Sequence, residues 1–372
     1  MEYVSSPVQM ELLAVALRNH NVIGIDTESN NLHAYQDRVC LIQISTPSDV
    51  FIVDPLAMDN VGALGNILED PNIIKIIHGC DYDLRSLNRD YGFDIYNVFD
   101  TELAARFLGI QSSNLGNVIE HFLGVKIKKS RSIQKSDWGY RPLSERALEY
   151  AASDVLYLHE LYEVMRNKLI DIGRYEWVLE ECRLFEKIKH IDIDILEEGY
   201  LKLKGVGKLD RKSLTILKEL FILREEEAKW KNVPSHRVVN NDTLVRMAQN
   251  PDLYVEQDLF TENQWINRNR DWISVVIDEA KASPFVEKPV KLKSRMKSDE
   301  KARKRLKVLR DWRISKADDL GLQPGIIFPM QGLEAIATSQ PGKPDQDFDA
   351  HGIGIREWQQ EQFLEEVCSV IY

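Results

Sequence analysis

The stretch NVIGIDTESNNLHAY, residues 21–35, runs from an apolar segment directly into acidic residues. Val22–Ile25 has the composition of a buried strand. Asp26 and Glu28 follow it, and side chains two positions apart on a strand point to the same face. Two neighbouring carboxylates at the end of a buried strand are costly unless something neutralises them. Either a hard divalent cation holds the pair, or one acid caps a helix and the other is solvated in a turn.

The sequence around this stretch predicts a mixed α/β domain. Three β-rich runs lie close together and predict consecutive hairpins, and after them helix and strand patterns alternate. We predict strands over VIGIDTE, VCLIQIS, VFIVDP, IIKIIHG and NVFD, and helices over VGALGNILED, YDLRSLNRDYG and TELAARFLG. Gly92 and Gly109 are the expected helix stops. This order suits a mixed sheet flanked by helices, whereas the chain beyond about Tyr175 is predicted to be nearly all helical.

Composition restricts the class of protein. The 372 residues are enough for two or three domains, and 44% hydrophobic with 29% charged residues is ordinary for a soluble globular protein. No apolar run approaches the roughly 18–20 residues of a membrane span, and the N-terminus lacks the pattern of a signal peptide. The four cysteines are far apart and form no CxxC pair, so neither a zinc site nor a disulfide framework is indicated. We therefore expect a cytoplasmic protein with no membrane partner.

Charge is unevenly distributed along the chain. The formal net charge of -11 disfavours non-specific binding of nucleic acid by the whole surface. The segment from Lys288 to Arg310 nevertheless contains eleven Lys or Arg residues and only two acidic ones. Such a cluster in an acidic chain marks a place for phosphates, or else a solvated linker followed by an exposed helix face.

Two stretches in the helical region resemble each other. They are LREEEAKWKNVPSHRVVNNDTLVRMAQ from Leu223 and WRISKADDLGLQPGIIFPMQGLEAIAT from Trp312. Each contains an arginine-bearing helix, a polar break, a proline, two β-branched residues and a helix start with leucine. The spacing of about ninety residues is too long for a solenoid unit and favours a duplicated small helical domain. Chance similarity between two helical pairs is the alternative.

Two further stretches carry candidate functional side chains. In HGCDYDLRSL, Asp81 is a natural N-cap for the following helix, while Asp83 in its first turn could point back over the strand end. In ERALEYAASDVLYLHEL, Tyr150 and Asp154 are four residues apart on a predicted helix and so share a face. Taken alone, Tyr150 and Asp154 are better explained as a tyrosine half-buried by its ring and a surface acid than as a functional pair.

Five side chains follow one another in a recognisable order: Asp26, Glu28, Asp83, Tyr150 and Asp154. The segment IDTE resembles the first motif of the DEDD superfamily of 3′–5′ exonucleases, CDYDL resembles the second, and YAASD resembles the third. Tyrosine stands four residues before the last aspartate, as in the Tyr subclass. The other subclass has histidine five residues before it, where this chain has Glu149.

The resemblance narrows to the ribonuclease D family. QKSDWGYRPLSERALEYAASDVLYL is similar to the DW, RPL and YAxxD pattern of that family, as are RVCLIQIS and FDTELAARFL. The helical repeats resemble the HRDC domains that follow its nuclease domain. The implied fold is α/β plus all-α, an RNase H-like mixed-sheet domain followed by two small helical domains. The expected bounds are 1–178 for the exonuclease domain, 179–207 for a helical connector, 208–287 for an HRDC domain, 288–298 for a basic linker and 299–372 for a second HRDC-like domain.

The resemblance also implies hydrolysis with two divalent ions, Mg²⁺ or Mn²⁺, at the scissile phosphate. Asp26 would bridge both ions, and Glu28 and Asp154 would complete the first site. Asp83 would help to hold the second ion through water. Tyr150 would orient the attacking water, because a phenol with a pKa near about 10 suits orientation better than proton abstraction.

Other residues have weaker signals. Trp138 and Arg141 in DWGYRPL could contact RNA by stacking and by phosphate pairing, or could serve the structure. We expect Asp100 in FDTEL to cap a helix. We expect His78 to form hydrogen bonds at the end of a strand rather than to act in catalysis. KGVGKL, which begins at Lys204, lacks the glycine spacing of a P-loop, so no nucleoside triphosphate is expected as a ligand.

These observations predict a 3′–5′ exoribonuclease that releases nucleoside monophosphates from RNA with a free 3′ end, tRNA precursors among them, and that acts as a monomer. One alternative is a DNA exonuclease of similar fold, because the acidic residues do not recognise the sugar. Another is a catalytically silent RNA-binding module, which the presence of all four acids disfavours.

Overall fold

Strands from the first hundred residues form one mixed sheet. The computed structural model describes residues 1–127, 130–191, 195–256, 263–287, 300–338 and 355–371. The strands are β1 (Glu2–Val4), β2 (Val22–Ser29), β3 (Val39–Ser45), β4 (Val50–Val53), β5 (Ile74–Ile77) and β6 (Val98–Asp100). Their order in the sheet is β1-β4-β3-β2-β5-β6. Because β3 and β4 are antiparallel while β1–β4, β2–β5 and β5–β6 are parallel, the predicted mixed sheet is confirmed.

Helices make up most of the rest. In chain order they are α1 (Pro7–Leu17), α2 (Gly62–Leu68), α3 (Asp81–Tyr91), α4 (Thr101–Phe107), α5 (Leu115–Leu123), α6 (Arg131–Gln134), α7 (Glu145–Val155), α8 (Leu158–Asp171), α9 (Tyr175–Phe185), α10 (Ile195–Glu198), α11 (Arg211–Lys231), α12 (Ser235–Val238), α13 (Asn241–Gln249), α14 (Pro251–Glu256), α15 (Gln264–Arg268), α16 (Arg270–Ala282), α17 (Glu300–Leu320), α18 (Pro324–Ile327), α19 (Met330–Thr338) and α20 (Glu357–Ser369). Among the described residues, no helix is long and apolar enough to cross a membrane.

The chain folds into two units. The first comprises Met1–Glu28, Val39–His190 and Lys293–Tyr372, and the second comprises Ser29–Arg38 and Ile191–Leu292. The first unit therefore contains the sheet, apart from Ser29 at the end of β2, and the second helical repeat, while the second unit contains the first repeat. Of the basic segment, residues 288–299 lie outside the described residues, and the remainder begins α17.

Two glycines mark the ends of helices as predicted. Gly92 adopts the left-handed conformation, with φ of 72°, and its N–H closes α3 on the carbonyl of Asn88. Gly109, with φ of 85°, lies just past the end of α4. Strand β1 was not predicted, because three residues are too few to show an alternating pattern. The helix predicted over residues 145–161 is divided into α7 and α8 by Leu156 and Tyr157.

The second helical repeat packs against α9, within the first unit. The rings of Trp177 and Trp358 stack with centroids 4.5 Å apart. Arg356 forms an ion pair with Glu181 at 3.0 Å, at the start of α20. Arg174 donates to the carbonyl of Leu320 at 2.8 Å. Aromatic, ionic and backbone contacts together attach this repeat to the domain that contains the sheet.

The second unit is organised around α11. Arg224 on this helix is buried, with its guanidinium paired to Glu225 at 2.7 Å. The segment Ser29–Arg38, which follows β2 in the chain, belongs to this unit and is held by hydrogen bonds. Arg237 donates to the carbonyl of Leu32 at 2.6 Å, and the N–H of Tyr35 donates to the side chain of Asn232 at 3.3 Å.

The two helical repeats make the same contact at the same spacing. Arg224 of α11 donates to the carbonyl of Val239, just after α12, at 3.2 Å. Arg313 of α17 donates to the carbonyl of Phe328, just after α18, at 3.1 Å. Both residues of the second contact lie 89 positions after those of the first (313 minus 224, 328 minus 239). This correspondence supports duplication over chance similarity.

Candidate active site

Three carboxylates from two elements of the first unit meet at one place. Asp26 and Glu28 lie on β2 near its carboxyl end, and Asp154 lies in the last turn of α7. Each offers a carboxylate oxygen, and these oxygens all lie within 4.8 Å of one another. Carboxylate oxygens are the ligands that Mg²⁺ and Mn²⁺ prefer, so this group has the chemistry to hold a divalent cation.

A glycine on β2 makes room for Ser45 of β3 and Leu158 of α8. A Cβ atom at Gly24 would lie 2.3 Å from Oγ of Ser45 and 3.1 Å from the side chain of Leu158. The hydroxyl of Ser45 donates to the carbonyl of Val155 at 3.0 Å. Because Val155 follows Asp154, this hydrogen bond fixes the acidic end of α7 against the sheet.

Tyr150 lies one turn before Asp154 on the same face of α7, and both side chains are buried. Burial raises the pKa of the Tyr150 phenol, and the charges of Asp154, Glu28 and Asp26 raise it further. The phenol therefore stays protonated at neutral pH and can donate a hydrogen bond beside the three carboxylates.

Asp83 lies outside the group of three carboxylates but next to it. It is buried in the first turn of α3 and accepts a hydrogen bond of 2.5 Å from the hydroxyl of Thr27. Thr27 is the residue between Asp26 and Glu28 on β2. Burial raises the pKa of Asp83, while the Thr27 hydroxyl lowers it. The structure thus brings three of the four predicted acids together and places the fourth against the intervening residue.

The predicted N-cap role of Asp81 is wrong. Asp81 lies inside α3 and pairs with Arg85 at 2.9 Å, while Cys80 takes the cap position without a side-chain hydrogen bond. The carboxylate of Asp100 instead accepts the N–H groups of Gly79 and Cys80 at 3.0 and 2.9 Å. A carboxylate from the neighbouring strand satisfies this turn, so no local cap is needed.

Asp100 also caps α4, as predicted, by accepting the N–H groups of Glu102 and Leu103 at 2.8 and 3.2 Å. The hydroxyl of the next residue, Thr101, lies 2.9 Å from Nδ1 of His78, the residue that follows β5. Asp100 therefore joins the start of α4 to the turn that precedes α3, the helix that carries Asp83.

A cavity of about 450 Å³ opens beside the acids. Its lining combines the predicted residues Asp26, Glu28, Tyr150 and Asp154 with further residues: Thr27, His78, Glu102, Asn114, Leu115 and Gln134. This volume falls within the range of ordinary ligand pockets, about 300–1,000 Å³. The cavity thus has one part that can hold cations and another part that carries neutral and acidic hydrogen-bonding groups.

A larger cavity, of about 770 Å³, belongs to the second unit. Trp230, Trp265 and Arg268 are among its lining residues, and Glu227 is the acid among them. One carboxylate cannot reproduce a group of three, so the smaller cavity is the better candidate for metal-dependent chemistry.

Comparison with known proteins agrees with this geometry. Residues 1–170 match the family described as 3′–5′ exonuclease, and residues 213–252 and 302–371 match the HRDC domain. Ribonuclease D of Desulfotalea psychrophila is 34% identical over 230 residues, which are 61% of this chain and 61% of that protein. Ribonuclease D of Pseudomonas paraeruginosa is 28% identical over 359 residues, 93% of this chain and 90% of that protein. The chain therefore contains a 3′–5′ exonuclease domain and HRDC domains, and it is similar to ribonuclease D proteins along most of its length.

A solved member of the ribonuclease D family has the same fold. Escherichia coli RNase D, described as an exoribonuclease involved in structured RNA processing, superimposes with a TM-score of 0.72 over 99% of this chain and 98% of its own. The sequence identity is 21%, so this likeness concerns the fold. The HRDC matches cover both helical repeats of the chain.

Two residues of the ribonuclease D-like segment DWGYRPL, Trp138 and Arg141, form contacts within the protein. Trp138 is 1% exposed, and its ring lies 6.1 Å from that of Tyr150. The guanidinium of Arg141 pairs with Asp54 at 2.6 Å and donates to the carbonyls of Trp138, Tyr140 and Cys40. A buried indole cannot stack on a base without moving, and the five donors of the arginine are already used. These contacts favour the structural role that the sequence analysis left open for Trp138 and Arg141 beside RNA contact.

Sequence reasoning missed Glu102, Asn114 and Gln134 as lining residues of the cavity. Asn114 and Gln134 lie at the start of α5 and the end of α6, far in sequence from the acidic motifs. Glu102 had a usable signal, because it follows the Asp100 cap at the start of α4, beside the strand end that carries His78.

Proposed function

We propose that the chain is a 3′–5′ exoribonuclease that removes mononucleotides from RNA by metal-assisted hydrolysis. The observation that carries the proposal is the group of Asp26, Glu28 and Asp154, with carboxylate oxygens within 4.8 Å of one another in a ribonuclease D-like exonuclease domain.

The roles of the side chains follow from their positions. Asp26, Glu28 and Asp154, with Asp83 nearby, would hold two divalent ions, Mg²⁺ or Mn²⁺, which supply positive charge to the scissile phosphate and activate a water. The Tyr150 hydroxyl, one turn before Asp154, orients that water by a hydrogen bond. The rigid attachment of α7 to β3 keeps these groups in place before the substrate arrives.

The proposed substrate is RNA with a free 3′ end, with tRNA precursors as the first class to examine, and the proposed products are nucleoside monophosphates. The ribonuclease D relatives support RNA over DNA. A DNA exonuclease would use the same carboxylates, so the choice of sugar has to be tested directly.

The test uses purified full-length protein with Mg²⁺ or Mn²⁺ and a 5′-labelled oligoribonucleotide. We expect a ladder that shortens one nucleotide at a time from the 3′ end, and no digestion of the same RNA with a 3′-phosphate. DNA of the same sequence should be degraded more slowly. Internal cleavage, or equal digestion of the blocked RNA, would reject the proposal, and faster digestion of DNA would favour the alternative.

A further inference from the structure

Glu102 presents a fourth carboxylate to the cavity beside the three clustered acids. It lines the same 450 Å³ cavity but lies outside the group formed by Asp26, Glu28 and Asp154. It belongs to the first turn of α4, whereas the clustered acids come from β2 and α7. The Glu102 carboxylate is unexpected so close to the proposed position of the scissile phosphate, because phosphate and carboxylate groups repel each other.

Two neighbours fix this carboxylate. One oxygen of Glu102 accepts a hydrogen bond of 2.9 Å from the hydroxyl of Ser113. The other oxygen lies where a side chain at Gly79 would be, 2.8 Å from the position of its Cβ. Gly79 has φ of 76°, a conformation that glycine adopts without strain. The turn before α3 thus makes room for the Glu102 carboxylate, and Ser113 sets its orientation.

The chemistry of a carboxylate restricts its partner. Ionised glutamate only accepts hydrogen bonds, so it cannot bind the phosphate oxygens of a nucleotide. The donors of a nucleotide at an RNA 3′ end are its sugar hydroxyls and the amino or ring N–H groups of its base. With the scissile phosphate at the clustered acids, the nucleotide being released must occupy the adjoining part of the cavity. Its sugar lies closer to the phosphate than its base does.

We propose that Glu102 accepts a hydrogen bond from the 2′-hydroxyl of the 3′-terminal nucleotide and so favours RNA over DNA. This inference rests on the proposed function, because it assumes hydrolysis at Asp26, Glu28 and Asp154. It makes Glu102 a specificity residue: the acids act on the phosphate, and Glu102 recognises the sugar beside it.

The test compares two oligoribonucleotides that differ only in the last sugar, which is ribose in one and 2′-deoxyribose in the other. Release of the last nucleotide is followed in a single turnover by the wild type, Glu102→Ala and a matched surface control, Glu69→Ala. The wild type and the control should release the ribonucleotide roughly tenfold faster or more, the effect of one hydrogen bond to a charged group. Glu102→Ala should reduce that ratio to about one, with the loss confined to the ribose substrate.

Ser113→Ala provides a graded variant, since it leaves the carboxylate but removes the hydroxyl that orients it. We expect a ratio between those of the wild type and Glu102→Ala. Melting curves of each variant show whether the fold is retained.

Several results would overturn the inference. These are equal release of both sugars by the wild type, an unchanged ratio in Glu102→Ala, or an equal loss on both substrates that extra Mn²⁺ restores, which would indicate a metal ligand. A change confined to substrates that differ in the last base would assign Glu102 to the base instead. Failure of the wild type to shorten either RNA would reject the proposed function itself, so the two failures are distinguishable.

Discussion

Gly24 allows close packing next to the acidic group because glycine has no side chain. Its Cα hydrogen faces the hydroxyl of Ser45 and the side chain of Leu158, which leave no space for a methyl group. Gly24 lies two residues before Asp26, and Ser45 holds the end of α7 that carries Asp154. The contact at Gly24 thus contributes, through Ser45, to the placement of Asp154 beside Asp26.

Gly24→Ala should destabilise the fold and slow digestion. The added methyl group must displace Ser45 or Leu158, at a cost of about 1–3 kcal/mol for overpacking a filled site. Urea denaturation measures the loss of stability, and RNA digestion measures the displacement of Asp154. Gly325→Ala is the matched control, because a Cβ there meets nothing within 4 Å. Equal stability of both variants would show that the contact at Gly24 is not tight.

Divalent metal should stabilise the protein through the three clustered carboxylates. An ion that binds only the folded state raises the melting temperature with its concentration. We expect Mn²⁺ to raise the melting temperature of the wild type, and EDTA to reverse the change. Asp154→Asn should lose most of the increase, whereas Glu69→Gln should keep it. An increase that is undiminished in Asp154→Asn would place the ion elsewhere.

At the scale of elements, the sequence predicted what depends on local patterns. Strand β2, helix α7 and the glycine stops have clear periodicity or cap chemistry, and the structure has them in place. Strand β1 is defined only by its pairing with β4, through Tyr3 and Ile52 among others, which no local pattern reveals. Glu102 had a local signal in the Asp100 cap two residues before it, but the position of its carboxylate depends on contacts with Gly79 and Ser113 that the sequence does not display.

The edge strand β1 is attached by one side-chain network. The hydroxyl of Tyr3 donates to Asp54, whose carboxylate also binds Arg141. Burial raises the pKa of Tyr3 to about 12, and the hydrogen bond to Asp54 contributes. A tyrosine of the unfolded chain titrates near about 10. This group therefore contributes stability that is present below pH about 10 and is lost as pH rises towards about 12.

Tyr3→Phe should remove this part of the alkaline destabilisation. Between about pH 10 and 12, the melting temperature of the variant should fall less steeply than that of the wild type, although its value at pH 7 should be lower because a hydrogen bond is lost. Tyr140→Phe, at an exposed tyrosine, serves as the control. Parallel pH profiles for Tyr3→Phe and the wild type would show that Tyr3 titrates alike in the folded and unfolded chain.

The duplicated repeats show how equivalent elements diverge. Arg224 is buried with Glu225, whereas the residue 89 positions after Glu225 is Ile314, which is exposed. The equivalent arginine, Arg313, also donates to a backbone carbonyl, that of Phe328. The residue that follows it in the chain is not acidic. The prolines and leucines of the two repeats indicated the duplication. They did not predict that Ile314 would stand where the first repeat has Glu225.

At the scale of the whole molecule, the order of domains was predictable and their packing was not. The motifs indicated a nuclease followed by helical repeats. The attachment of the second repeat depends on Trp177 and Trp358, which lie 181 positions apart (358 minus 177) and share no motif. Such long-range contacts arise from complementary surfaces, and a single sequence does not display those surfaces.

Trp358→Ala should loosen the first unit. The ring is 3% exposed and lies against Trp177, Phe107 and Phe363, so its removal should cost about 3–5 kcal/mol. Urea denaturation followed by tryptophan fluorescence measures the loss. Trp230→Ala is the control, because that ring is 79% exposed and should contribute little. Similar stabilities for the two variants would mean that the second repeat is only loosely attached.

The central claim is that Asp26 and Glu28, near the end of β2, bind the divalent ions with which nucleotides are removed from the 3′ end of RNA. Single-turnover digestion of a labelled RNA by the wild type and Asp26→Asn, over a range of Mn²⁺ concentrations, tests it most directly. The account predicts digestion by the wild type that requires Mn²⁺ and is at least about 100-fold slower in Asp26→Asn, because several kcal/mol of charge stabilisation are lost. Digestion by Asp26→Asn at the wild-type rate would contradict it.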